Sequence, residues 1–143
     1  WFSVLRSDGS PLPVFERVAA MPRRTSDYAP RLTLYAEQMT AETSFACPGS
    51  IKVGEFDVVN AGYPGRFTAT VEAPVSPVGP PVEVYPPEVS SGERVSVYAD
   101  TTGLAPGVYT VYVNATAAIG GDLVSEMIQG YIVVRGDAAL CGQ

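Results

Sequence analysis

Between Val95 and Ala117 apolar and polar residues alternate. Val95, Val97 and Ala99 are separated by Ser96, Tyr98 and Asp100. After a Gly/Pro-rich turn, Tyr109, Val111, Val113 and Ala115 are separated by Thr110, Tyr112, Asn114 and Thr116. A period of two built from β-branched and aromatic residues predicts half-buried strands. The same signal recurs along the chain. It predicts strands over Arg31–Met39, with Leu32, Leu34 and Ala36 inward, over Ile51–Asn60, and over Phe67–Val71. Gly54 breaks the phase of the second of these and predicts a bulge. Val82–Tyr85 is a short strand closed by Pro86-Pro87. Over Val124–Arg135, Ile128, Gly130, Ile132 and Val134 face one way and Gln129, Tyr131 and Arg135 the other. Pro74–Pro81 reads as a crossing between sheets. No 3.6-residue period lasts three turns, and Thr40–Ala46 has room for one helical turn at most. About seven strands, with turn signals roughly every 8–12 residues, predict an all-β antiparallel sandwich over residues 31–143.

Residues 1–30 do not continue this pattern. They hold two apolar runs, Trp1–Leu5 and Val14–Ala20, with the turn signal Ser7-Asp8-Gly9-Ser10 between them. Pro11, Pro13, Pro22 and Pro30 punctuate the rest. Proline supplies no ladder donor and is confined to strand ends, edges and extended segments. The region therefore reads as an extended N-terminal arm with strand-forming pieces, and as a candidate donor strand.

The run Asp57–Gly62, then Phe67–Val71, Pro86 to Gly92, Val95–Asp100 and the turn Thr102-Gly-Leu-Ala-Pro-Gly-Val-Tyr-Thr110 resembles BACON-like bacterial immunoglobulin-like modules. The resemblance covers about residues 45–136. It implies an immunoglobulin-like sandwich that is extracellular and non-catalytic. The arm has no counterpart in such modules.

Composition narrows the function classes. The 143 residues suit one domain with an arm, long enough to bury about two-thirds of the unfolded surface. Nine basic and fifteen acidic residues give a net charge of −6. That balance argues against nucleic-acid binding, which needs clustered cations to displace counterions. No apolar run approaches the roughly 20 residues of a membrane-spanning helix, so no membrane insertion is expected. The chain starts at Trp1 without a signal peptide, as expected of a processed, secreted product. Apolar types make up 46% and charged types 17%, so much apolar surface must be buried within the fold or against neighbours.

Histidine is absent, which excludes Ser/His and Cys/His nucleophilic arrangements and histidine metal sites. Glu55, Asp57, Glu72, Glu83, Glu88, Glu93 and Asp100 are scattered over strand and turn positions and read as a solvated face. Asp122 and Asp137 lie near Gly-containing turns but lack the Asp-x-Asp spacing of a calcium loop. No catalytic residue, metal or cofactor is expected. Cys47 and Cys141 are the only cysteines. An even pair in an extracellular chain predicts an intrachain disulfide, with an intermolecular bridge or two buried thiols as alternatives. Closing so long a loop contributes about 4–5 kcal/mol in the chain-entropy model. Asn114-Ala115-Thr116 is a glycosylation sequon whose Asn114 faces outward by strand phase. The same phase turns Tyr98, Tyr112 and Tyr131 outward as a candidate surface interface.

An extended segment can complete an open sheet edge by β-augmentation, and a donor from the next copy makes a contact that propagates. The expected function is an extracellular, cell-surface filament or pilus subunit whose partners are copies of itself. The expected anchors are Trp1, Phe2, Val4, Leu5, Val14, Phe15 and Val18. The alternatives are an adhesin or carbohydrate-binding module that takes surface glycans, or a surface-layer or virion decoration protein.

Overall fold

The computed structural model describes residues 31–61, 66–74 and 79–137. The arm with all seven expected anchors, and Cys141, lie outside the described residues. Nine strands and no helix are found among the described residues: β1 Arg31–Tyr35, β2 Thr40–Ser44, β3 Ser50–Ala61, β4 Thr68–Glu72, β5 Val82–Tyr85, β6 Glu88–Ser90, β7 Arg94–Asp100, β8 Gly107–Ile119 and β9 Asp122–Arg135. They form a four-stranded sheet in the order β1-β3-β7-β5 and a five-stranded sheet in the order β2-β9-β8-β4-β6.

The alternation read from the sequence is what closes the core. Val95, Val97 and Ala99 of β7 and Phe56 and Val58 of β3 are buried, as are Ala69 and Val71 of β4 and Val111, Val113, Ala115 and Ala117 of β8. Ile132 and Val134 of β9 belong to the same cluster. Removing a valine- or phenylalanine-sized side chain from water stabilises by about 1.5–3 kcal/mol, so these inner faces dominate the folding free energy. In β3 the buried positions shift from Val53 to Phe56 and Val58. The register slips between Lys52 and Gly54, which is the expected bulge, and the slip is what moves the apolar set back onto the core side.

Every consecutive pair of strands except β8–β9 is divided between the two sheets. After β1 the chain leaves the four-stranded sheet and joins the other as β2. After β5 it turns at Pro86-Pro87, where the Tyr85–Pro86 peptide is cis, and becomes β6 beside β4. Thr40–Ala46 is therefore not a helical turn. Thr40–Ser44 is a strand, paired in parallel with Tyr131–Arg135 of β9, the one parallel pair among the described strands.

The segment between β7 and β8 also crosses between the sheets. The amide and hydroxyl of Thr101 both donate to the Gly49 carbonyl, each at 2.9 Å. Asp100 Oδ1 accepts from the Thr102 amide at 2.9 Å, Gly103 takes a φ of +78°, and the half-buried Leu104 packs against the core. Just beyond, the Tyr109 hydroxyl donates back to the Ala105 carbonyl at 2.8 Å and fixes the start of β8.

Candidate assembly surface

Met39 governs the edge of the five-stranded sheet. It lies in the crossing between β1 and β2, buried, and is bridged to Gly54 of β3. The Tyr131 amide donates to its carbonyl at 2.8 Å. Two glycines make room for it. A Cβ on Gly54 would stand 2.5 Å from the Gln38 carbonyl oxygen, and one on Gly130 would stand 2.8 Å from the Met39 carbonyl oxygen. The crossing thus sets where β2 first reaches β9, at Thr40 beside Tyr131.

Upstream of that point β9 has β8 as its one partner among the described strands. Its ladder with β8 is continuous from Gly107↔Val134 to Ile119↔Asp122, but among the described strands nothing pairs its outer edge along Asp122–Gln129. The side chains there are incompletely covered. Leu123 is 77% exposed and Met127 55%, both on the outer face. Val124 and Ile128, on the inner face, are only half-buried, as are Leu34 and Ala36 of the nearby β1 segment.

Tyr112 and Tyr131 lie on the outer face beside this edge, on neighbouring strands, and the Gln129 amide donates to the Tyr131 hydroxyl at 2.8 Å. Tyr98 does not join them. It is on β7, in the four-stranded sheet, and points from the opposite face of the sandwich. Strand phase distinguishes in from out but not one sheet from the other. Asn114 sits on the outer face of β8, half-buried between Glu72 of β4 and Met127 of β9.

On the outer face of the four-stranded sheet Glu55 and Asp57 are paired. Arg94 grips Asp57 with two parallel bonds, Nε to Oδ1 at 2.7 Å and Nη2 to Oδ2 at 3.1 Å. This bond holds the Asp57 carboxyl below its ordinary range and raises the Arg94 guanidinium. Glu55 accepts from Lys52 Nζ at 2.5 Å and Ser96 Oγ at 3.0 Å, and these bonds, the lysine's first, also hold it low. A general acid working near neutrality needs the opposite shift. Glu83, Glu88, Glu93 and Asp100 are exposed; Asp100 is held low by its bonds from Thr102. Among the described residues no group of three or more acidic or cysteine side chains is placed to hold a metal.

At the other end, β2 and the tail beyond β9 are tied together. The Ser44 hydroxyl donates to the Asp137 carbonyl, and Arg135 pairs with Glu42. Cys47 follows on a turn closed by its own amide to the Ser44 carbonyl at 3.0 Å.

No protein-family model matches the chain, and no curated protein matches it. Among solved structures, PapD-like domain 7, an ASH / PapD-like domain of human CEP192, is similar at 12% identity and a TM-score of 0.53, covering 82% of this chain and 92% of that one. The fold is an immunoglobulin-like sandwich. The bond from Tyr109 to Ala105 is the tyrosine corner that such sandwiches carry. Two chaperones also match. DraB of E. coli does so at 13% identity with a TM-score of 0.43, covering 75% of this chain and 56% of that one. YadV does so at 12% identity with a TM-score of 0.46, covering 78% and 54%. This chain thus corresponds to little more than half of either chaperone.

Sequence reasoning missed the open half of β9 and the glycine pair around Met39. The only local sign was Gly130 among inward-facing apolar residues; the partner that explains it lies about ninety residues away.

Proposed function

We propose that this chain is a non-catalytic, extracellular structural subunit that polymerises into a cell-surface filament or pilus. Its N-terminal arm, anchored by Trp1, Phe2, Val4, Leu5, Val14, Phe15 and Val18, adds a strand to a neighbouring copy. The observation that carries this reading is the concentration of exposed apolar side chains on one face: Val108, Tyr112, Leu123, Met127 and Tyr131, all from β8 and β9. Exposed apolar side chains gathered on one face mark an interaction site. The arm supplies apolar segments of matching character outside residues 31–143. A contact between arm and sandwich is heterologous, so it repeats from copy to copy. The resemblance to BACON-like modules over residues 45–136 fits the same extracellular role, with Asn114 on the outer face as a glycan acceptor.

The adhesin reading has one observation in its favour. Tyr112, Gln129 and Tyr131 combine aromatic faces with amide and hydroxyl groups, a surface that can also take a sugar ring. Light scattering on the purified full chain and on a chain lacking residues 1–20 decides between the two. The subunit reading expects large assemblies from the first and monomers from the second. Assemblies of equal size from both would sink it, and specific retention on a glycan array by an unassembled chain would establish the alternative.

A further inference from the structure

We propose that the half of β9 left without an outer partner among the described strands, Asp122–Gln129, is the strand acceptor, and that its occupant is the Val14–Ala20 segment of a second copy. This rests on the subunit reading above and specifies its contact. The direction of the backbone groups carries it. The Tyr131 amide donates to Met39, and the Arg135 carbonyl accepts from the Phe45 amide at 3.0 Å, so odd-numbered residues of β9 aim their backbone groups away from β8. The β8–β9 register is unbroken, so the alternation continues through Gln129, Met127, Ser125 and Leu123. Each presents an N–H and a C=O to the open edge. An exposed strand with such a row, flanked by apolar side chains, is a template for another strand.

Side chains complete the site. A strand laid beside Asp122–Gln129 would turn alternate residues inward, toward the half-covered Val124, Ile128, Leu34 and Ala36. Glu126 belongs to the same inward series yet is exposed, so it offers a charge to a basic donor residue. Val14–Ala20 is apolar apart from Glu16 and Arg17, and its seven residues extend about 23 Å, close to the length of the open edge. The charges match as well. The first 30 residues hold four arginines and three acids, while residues 31–143 hold five cations and twelve acids.

Placement brings the arm to the level of the acceptor. Arg31 pairs with Ala61, and the β8–β9 hairpin turns at Gly120-Gly121, so the arm leaves at the same end as the acceptor. Residues 21–30 reach at most about 36 Å, enough to arrive at an adjacent molecule. Pro22 and Pro30 favour extended chain over a tight return on the same sandwich. The edge strands among the described residues are shorter: β1 and β2 have five residues each, β5 has four and ends at two prolines, and β6 has three.

Two experiments on the full chain test this. Met127→Pro removes one edge-directed N–H and leaves the ladder to β8 intact. It is expected to melt within a few degrees of the parent and to lose assembly at least tenfold. In the second, p-benzoylphenylalanine replaces Phe15 in an equal mixture of ¹⁴N- and ¹⁵N-labelled chains. Irradiation is expected to join the arm to a peptide containing residues 122–129 of a differently labelled chain. Cross-links confined to one chain would overturn the occupant, and cross-links to another strand would overturn the edge. If Met127→Pro folds and assembles like the parent while deletion of residues 1–20 abolishes assembly, the subunit reading survives and the β9 acceptor is refuted. If the deletion also assembles normally, the subunit reading itself fails. Should Met127→Pro not fold, the cross-link decides alone.

Discussion

Replacing Gly130 with alanine tests whether the Met39 crossing holds the sandwich edge in place. The new Cβ would stand 2.8 Å from the Met39 carbonyl oxygen, 3.0 Å from Val111 Cγ2 and 3.2 Å from Met39 Cβ. The nearest of these is a backbone atom already held by the Tyr131 amide, so the strain is relieved only by moving the crossing. Overpacking of this kind costs about 1–3 kcal/mol. The alanine recovers up to about 1 kcal/mol by restricting the unfolded chain. A net loss of about 1–2 kcal/mol lowers Tm by about 3–8 °C in a domain of this size. Gly54→Ala is expected to cost more, because its Cβ meets two backbone atoms, Gln38 O at 2.5 Å and Met39 Cα at 3.1 Å. Gly107→Ala is the control: its nearest neighbour is the Tyr109 ring at 3.7 Å, and it is expected to be neutral. Thermal melts followed by circular dichroism read all three. If Gly54→Ala and Gly130→Ala melt within about 1 °C of Gly107→Ala, the clamp around Met39 is not what fixes the crossing.

Three further outcomes are expected. Tyr109→Phe removes the bond to Ala105 and should cost about 1 kcal/mol, read as a lower urea midpoint at unchanged slope; an unchanged midpoint would show that the corner adds nothing. Asp57 and Glu55 have lowered pKa values in the folded state, so their stabilisation is present above the ordinary carboxylate pKa and is lost as pH falls through the folded values. Tm should therefore hold between pH 7 and 5 and decline below about pH 4, less steeply in Asp57→Asn, and parallel acid profiles would contradict this. Ser44 is bonded to Asp137, which supports a bridge between Cys47 and Cys141 within one chain. A non-reducing digest should yield that cross-linked peptide, whereas alkylatable thiols or a bridge only between chains would count against it.

The strands that the sequence marks are those whose burial follows from their own alternation. β7, β8 and the later part of β9 show it, and the bulge at Gly54 is legible because the phase of the apolar positions changes there. Thr40–Ser44 has no such signal. It is a strand because Met39 is fixed between Gly54 and Gly130 and the next five residues find β9, a pairing made across about ninety residues. β6 is three residues long, too short for any period to appear. Phase gives only the direction of a side chain, and by direction Tyr98 groups with Tyr112 and Tyr131. The sheet it belongs to depends on whether residues 101–106 make a hairpin or a crossing, and the bonds from Thr101 to Gly49 make a crossing. The open half of β9 was invisible for a related reason. An unpaired edge is defined by where β2 begins, and that point is set by packing around Met39.

The most direct test of the central claim is a cryo-electron-microscopy map of the assembled protein. The account predicts a filament in which the strand beside Asp122–Gln129 is traced to residues 14–20 of the neighbouring copy. A map in which that edge is empty, or is filled by the chain's own arm, would contradict it.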